Sequence, residues 1–135
     1  MNTIAISQYT SFFHDGSIMN IEHLGSNLIF TMGSAEIDRE DLKDNIILSS
    51  NDRIKGKLHI EKVKTIVIND QPFLGILKQE YDDGEILHLT IKKHFVEITV
   101  QWIDFPPKPE KEVFSIIQVQ AEKIYWENIP DLPWD

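Results

Sequence analysis

The sequence predicts an all-β protein, a single-domain antiparallel sandwich or half-open barrel of about eight strands with at most short helical turns. Apolar and polar residues alternate with period two along most of the chain, which is typical of strands with one buried face. Short clusters of Gly, Asn, Asp and Pro separate these stretches. No stretch carries the apolar stripe of an amphipathic helix. These observations assign residues 1–135 to one domain.

The amino-terminal part predicts a β-hairpin. Residues 18–23 alternate, with Ile18 on one face and Ile21 on the other, and "LGSN" then supplies turn residues. The second strand places one residue in two on a common face: Leu28, Phe30, Met32 and Ser34. Residues 38–45, "DREDLKDN", are polar and predict only a short helical turn capped by Asp38.

The middle of the chain predicts three strands. Ile54, Gly56, Leu58 and Ile60 share one face of the first strand, which runs into the turn "NDQP". Residues 73–81, "FLGILKQEY", predict the second strand. The "DDGE" that follows is the strongest hairpin signal, because Asp-Gly suits a type I′ turn, and it leads into "EILHLTI".

The carboxy-terminal part predicts two more strands and a tail. After the turn "KKH", the stretch "FVEITVQWI" places alternate residues in the core: Val96, Ile98, Val100 and Trp102. A proline-containing loop over residues 104–112 follows, because proline does not fit a central ladder. Residues 113–126 predict the last strand, and residues 127–135 predict an irregular tail.

Composition narrows the functional classes. The chain has no cysteine, which excludes disulfides, zinc ribbons, thiol nucleophiles and iron–sulfur ligation. No segment approaches the about 20 apolar residues that cross a bilayer, and no signal peptide is evident. We therefore expect a cytoplasmic protein that binds no membrane and needs no cofactor.

The charge of the chain indicates a type of partner. Thirteen Lys and Arg stand against 22 Asp and Glu, which gives a net charge of −9. Nucleic-acid backbones are recognised mainly by cations, so nucleic-acid binding is not expected. An acidic surface instead favours encounters with a basic protein.

Residues 11–23, "SFFHDGSIMNIEH", contain the residue types of a catalytic or metal site. The pentapeptide of a serine nucleophile elbow is absent from the chain. His14 and His23 lie at opposite ends of one predicted strand, too far apart to share a metal ion. We interpret His14, Asp15 and Gly16 as the turn into the first strand, and we expect no catalytic or metal-ligating residue.

The end of the chain, "YWENIPDLPWD", combines aromatic and acidic residues. This composition is typical of an interface that pairs aromatic anchors with electrostatic steering. The residues that it suggests for binding are Tyr125, Trp126, Glu127, Asp131 and Trp134. Within this set, Trp126 ends a strand and is expected to serve the fold, whereas Trp134 lies beyond two prolines and is expected to contact the partner.

Two stretches carry a resemblance to a known group of proteins. "FHDGSIMNIEHLGSNLIFTMGSAEI" and "AEKIYWENIP" resemble small bacterial proteins, some of them similar to immunity proteins of polymorphic toxin systems. The matching residues are Phe13, His14, Asp15, Ile18, Ile21, Ile124 and Trp126. The resemblance implies an acidic, non-enzymatic binding module; it names no cognate toxin and transfers no catalytic residues.

Three functional hypotheses therefore stand. The first is a binding protein, immunity-like, that inhibits a basic protein partner. The second is a small-ligand-binding barrel or small enzyme with a polar site that no motif reveals. The third is a structural or assembly subunit that forms homo-oligomers through a strand edge.

Overall fold

The computed structural model describes residues 2–42, 46–109 and 112–133. One short α-helix, α1 (Thr3–Ser7), opens the chain, and its N-cap Asn2 accepts a hydrogen bond from the backbone of Ala5. Two 3-10 turns lie at Thr10–Phe13 and Arg39–Asp41. The strands are β1 (Ser17–Leu24), β2 (Asn27–Gly33), β3 (Lys55–Ile68), β4 (Gln71–Pro72), β5 (Asp83–Lys92), β6 (Phe95–Ile103) and β7 (Val113–Asn128).

The described strands form one antiparallel sheet of seven strands in the order β2-β1-β5-β6-β7-β3-β4. β2 also pairs with β3, from Leu28↔Ile60 to Gly33↔Lys55, so the ladder returns to its starting strand. The seam between β1 and β5 contains only two residue pairs, Ser17↔Glu85 and Ile18↔Gly84. The all-β fold is therefore confirmed, in the form of a half-open barrel.

The core lies inside this curved sheet and follows the predicted alternation. Ile54, Leu58 and Ile60 of the β3 region are completely buried. The predicted inward faces of β2 and β6 are also buried, and their residues are Leu28, Phe30, Met32, Ser34, Val96, Ile98, Val100 and Trp102. The 3-10 turn at Arg39–Asp41 begins at Asp38, whose side chain accepts a hydrogen bond from the backbone of Glu40, as predicted.

The first strand departs from strict alternation. Ile18 and Ile21 are both buried, although they were expected on opposite faces. The pairing of β1 with β2 shifts register between Ile18 and Asn20, where a β-bulge inserts one extra residue. The bulge changes the face on which later residues lie, so both isoleucines reach the core.

The hairpin predicted at "DDGE" is wrong. Asp83 and Gly84 begin β5 and pair with Ile103 and Trp102 of β6, while residues 73–81 form no strand. The glycine serves packing here rather than a turn. A Cβ atom at position 84 would lie 2.6 Å from Cζ3 of Trp102, so the indole ring occupies the space of the missing side chain.

Gly56 plays the same part on β3. A Cβ atom there would lie 2.0 Å from the carbonyl oxygen of Glu127 and 2.8 Å from Cζ2 of Trp126. Trp126 is 1% exposed and packs edge-on against Phe13, with ring centroids 5.6 Å apart. Each of these two tryptophans therefore lies over a glycine of a neighbouring strand.

The carboxy-terminal boundary also differs from the prediction. β7 continues through Glu127 to Asn128, and Gly56 pairs with Asn128 across the ladder. The irregular tail therefore starts two residues later than predicted, at Ile129. Its backbone N–H donates to the carbonyl of Lys55, which holds the start of the tail against β3.

We expect Gly84→Ala to lower the free energy of unfolding by about 1–3 kcal/mol, because the new methyl group overlaps the Trp102 ring. Chemical denaturation monitored by tryptophan fluorescence measures this change. Gly75→Ala is the matched control, since its nearest neighbour is the ring end of Phe73 at 3.3 Å. In the Trp102→Leu background, Gly84→Ala should destabilise the fold much less, because the indole ring is no longer in the way. Equal stability of Gly84→Ala and the natural chain would contradict this account of the packing.

Candidate protein-binding surface

His14, Asp15 and Gly16 form the turn between the first 3-10 turn and β1. Asp15 has a φ of 66°, in the left-handed region that aspartate adopts more readily than most residues. Its backbone N–H donates to the carbonyl of Ile86 at 2.8 Å, and Nδ1 of His14 lies 2.6 Å from the carbonyl oxygen of Leu87. These bonds attach the turn to β5.

The same contacts describe the chemistry of the turn. Because its neighbour is a carbonyl oxygen, Nδ1 of His14 carries the proton that forms the hydrogen bond. Nε2 lies 3.7 Å from Oδ1 of Asp15, and both side chains are exposed. Within residues 2–42, 46–109 and 112–133, no group of three or more His, Cys, Asp or Glu side chains could hold a metal ion.

Tyr125 belongs to a polar cluster on the outer face of β3 and β7. Its ring stacks on His59, with centroids 4.6 Å apart and planes 3° from parallel, because the two residues are direct cross-strand partners. The Tyr125 hydroxyl donates to Oε2 of Glu61 at 3.1 Å. Nε2 of His59 lies 2.8 Å from Oε1 of Glu127. Two of the predicted binding residues, Tyr125 and Glu127, are therefore joined through His59.

The pKa of the Tyr125 hydroxyl is raised above its ordinary value. Partial burial contributes most, followed by the hydrogen bond to Glu61 and the negative charges of Glu61 and Glu127. The neutral phenol is the form that the folded chain favours. Tyr125 is thus a hydrogen-bond donor fixed to the barrel surface.

The remaining tail residues occupy different environments. Trp126 lies in the core, in line with the role in the fold that the sequence suggested, and its Nε1 donates to the side chain of Asn128. Asp131 is exposed. Trp134 lies outside the residues that the structure describes, so its predicted contact with a partner stays a prediction.

The connection between β2 and β3 adds an acidic surface beside the tail. Its exposed carboxylates are Glu36, Asp38, Glu40 and Asp41. Arg39 in the same segment pairs with Asp52 at 2.8 Å, which fixes the segment to the turn that leads into β3. We name these four carboxylates together with Asp131 the acidic end.

Contacts join the later part of this connection to the end of β7 and to the tail. The Asn128 side chain donates to the carbonyl of Ile47 at 2.9 Å. A groove of about 430 Å³ lies between residues 48–50 and residues 130–133. Ile47 itself is 69% exposed, which is unusual for an isoleucine. The β2–β3 connection therefore carries, besides four carboxylates of the acidic end, an exposed apolar side chain that a partner can bury.

Sequence reasoning used only part of this surface. It named Asp131, and it read residues 38–45 as a polar turn. The density of acids in "EIDREDLKD" was the available signal. Whether these acids form a binding surface depends on where the β2–β3 connection lies in the fold. The hydrogen bond from the Asn128 side chain to the carbonyl of Ile47 holds part of this connection against the end of β7.

A cleft of mixed charge lies at the β1–β5 seam. Arg53 and Lys55 line one side of this volume of about 180 Å³, and Asp82 and Asp83 also line it. Nη1 of Arg53 donates to the carbonyl of Ser34, while its buried Nε has no hydrogen-bond partner among the described residues. The cleft has room for a small polar molecule.

Comparison of the chain with models of protein families, with curated proteins and with solved structures found no match. Among the residues that the structure describes, no helix has the length and apolar character needed to cross a membrane.

We expect His14→Ala to lower the free energy of unfolding by about 1 kcal/mol, because it removes the hydrogen bond to the Leu87 carbonyl. Thermal or chemical denaturation measures this loss. His88→Ala is the control, since the exposed His88 ring bonds to the hydroxyl of Thr90 on the same strand and does not attach the turn to β5. A purified protein that holds stoichiometric zinc, and loses it in His14→Ala, would contradict the structural role of the turn.

We expect Tyr125 to ionise above the ordinary tyrosine pKa of about 10, and Glu61→Gln to lower its pKa. The neutral phenol is stabilised in the folded chain, so its contribution to stability is complete below the ordinary pKa and is lost as pH rises through the higher folded value. Absorbance titration of the phenolate measures this. Glu97→Gln, on β6, is the control and should leave the titration unchanged. An unaltered Tyr125 titration in Glu61→Gln would contradict the assignment.

Proposed function

We propose that the chain is a non-enzymatic protein-binding module that recognises a basic protein partner at the acidic end. The observation that carries this proposal is that four exposed carboxylates lie in the same β2–β3 connection as the exposed side chain of Ile47, and that this connection is bonded to Asn128, just before the tail that carries Asp131. Charged residues at the rim and an apolar residue that becomes buried are the usual division of an interface.

The two kinds of residue affect different steps of binding. Exposed carboxylates attract a basic surface before contact and so raise the association rate, within a screening length of about 8 Å at physiological ionic strength. Ile47 contributes once water has left the interface, and its loss should therefore raise the dissociation rate. Asp131 adds a charge at the far side of the groove.

The packing of the barrel supports a binding module over the ligand-binding barrel or small enzyme. Inward positions of the described strands carry large apolar side chains that fill the interior, such as Phe30, Ile98 and Trp126. The polar features lie outside that core, on the surface and in the small cleft beside Arg53. We therefore rank protein binding first and a small-molecule function second.

The narrower form of the proposal is an immunity-type inhibitor acting in the cytoplasm on a basic toxin. The resemblance at His14, Asp15 and Trp126 suggests it, and the acidic end supplies a surface with the required charge. An inhibitor of this kind needs only to cover the partner's functional surface, so it requires no catalytic residue of its own.

We expect the double variant Glu40→Lys with Asp41→Lys to slow association with the partner by about tenfold or more at low salt. The partner is first captured by a photo-cross-linking amino acid that replaces Ile47. It is then purified, and its binding is measured by surface plasmon resonance. Glu112→Lys with Glu122→Lys makes the same change in net charge on exposed positions elsewhere and is the matched control. The natural chain should also associate more slowly as salt rises.

Ile47→Ser should mainly raise the dissociation rate. If the two double variants slow association equally, only net charge matters and the acidic end is not the interface. If association is independent of salt, a basic partner is excluded.

A further inference from the structure

A second surface of the barrel exposes large apolar side chains. Leu74 is 96% exposed, Ile76 is 69% exposed, and Leu24 at the end of β1 is 68% exposed. A groove of about 560 Å³ lies between the β1–β2 turn, residues 63–67 of β3 and residues 72–76. We call it the β3 groove. An exposed apolar group of this size is the kind of feature that marks a docking site.

The chain holds the apolar residues of this surface outward. The backbone N–H of Phe73 donates to the carbonyl of Ile66 at 2.8 Å. The backbone N–H of Leu77 donates to Nδ1 of His23 at 2.8 Å, and the Leu77 side chain is buried. Residues 74–76 are thus fixed at both ends, and the two apolar side chains between the anchors cannot turn into the filled core.

The floor of the groove is a stretch of sheet edge. β2 pairs with β3 only as far as Ile60, and β4 pairs with β3 only at Val67 and Ile68. Between these pairings, the described residues provide no strand neighbour for β3 on the groove side, while β7 pairs with it on the other side. Part of this edge is already bonded, because the backbone N–H of Val63 donates to the carbonyl of Ser26 and the carbonyl of Ile66 accepts from Phe73. The edge left for a partner is therefore short, and the side chains of the groove provide most of its binding surface.

The charge of the groove is opposite to that of the whole chain. Among the described residues, its lining includes the cation Lys64 and no Asp or Glu, although the chain has 22 acidic residues. Lys64 and the nearby Lys78 are exposed and form no ion pair within the described ranges. Lys62 pairs with Glu122 at 3.6 Å. The unpaired cations therefore favour an occupant that carries carboxylates.

We propose that the β3 groove binds an acidic, apolar segment of a partner protein, with Leu74 and Ile76 contacting its apolar side chains and Lys64 contacting a carboxylate. This site is separate from the acidic end and goes beyond the function proposed above. Its occupant has the opposite charge from the basic partner expected there.

Two features argue against a second copy of this chain as the occupant. A symmetric pairing of β3 edges would bring the lysines of both copies together, and like charges on adjacent strands are unfavourable. The register of β3 also shifts between Val63 and Thr65, and bulges and lysines on an edge oppose pairing between identical edges. A partner with carboxylates compensates the lysines instead.

A displayed library of random short peptides tests the proposal. Selection against the natural chain should enrich peptides that combine Asp or Glu with Leu, Ile or Val. Synthetic forms of these peptides should shift the backbone NMR signals of residues 63–67 and 73–76. Leu74→Ser should weaken their binding by about tenfold or more, and Lys64→Glu should weaken it severalfold. Phe114→Ser, which changes an exposed apolar residue outside the groove, is the matched control.

Each alternative outcome overturns the proposal. If the selected peptides are basic, or if they still bind Leu74→Ser, the interaction lies outside the β3 groove. If basic peptides no longer bind the double variant Glu40→Lys with Asp41→Lys, the result supports the acidic end alone. A dimer in sedimentation that Leu74→Ser dissociates identifies a second copy as the occupant. Binding to anionic lipid vesicles that Leu74→Ser abolishes, without peptide binding, identifies a membrane. Denaturation curves confirm that each variant is folded.

Discussion

The packing of two tryptophan rings against glycines of neighbouring strands is the constraint on which the rest of the structure depends. Trp102 of β6 lies over Gly84 of β5, and Trp126 of β7 lies over Gly56 of β3. A shift in register by one residue would place a Cβ atom under each ring, so these contacts fix how the strands pair. Each ring also holds a segment outside the sheet. Phe13, just before the His14 turn, packs on Trp126. Tyr81, at the end of the segment whose first residues line the β3 groove, stacks on Trp102 with ring centroids 5.7 Å apart.

The same constraint explains which parts of the fold the sequence could predict. Alternation with period two identified β2, β3, β6 and β7, because burial on one face is a property of each strand alone. The hairpin at Asp83 and Gly84 failed because a glycine can serve either a turn or a close approach, and only the position of Trp102 decides between them. The predicted faces of β1 were wrong for a related reason. The extra residue of the bulge is defined only by the pairing of β1 with β2, which the sequence of β1 alone does not give.

The candidate surfaces were less predictable than the fold. Tyr125 and Glu127 were named by composition among five binding residues, but their connection through His59 depends on the register between β3 and β7. No sequence pattern distinguishes Ile47 from other apolar residues, and only the bond from Asn128 to its carbonyl places it beside the tail. Leu74 and Ile76 were assigned to a strand, which would have buried every second residue. Their exposure follows from the two anchors at Phe73 and Leu77, and these anchors involve residues distant in sequence.

The two proposed surfaces lie at opposite ends of β2, which decides how they interact. The acidic end follows the last residue of β2, and the β3 groove borders the turn before its first residue. β2 has seven residues, and a strand rises about 3.3 Å per residue, so roughly 20 Å separates its ends. This distance is more than twice the screening length of about 8 Å at physiological ionic strength. The negative charges at one end therefore do not cancel the attraction of Lys64 for a carboxylate at the other. A net charge of −9 describes the chain as a whole, but an approaching protein meets a local field, so the two proposed surfaces would attract partners of opposite charge.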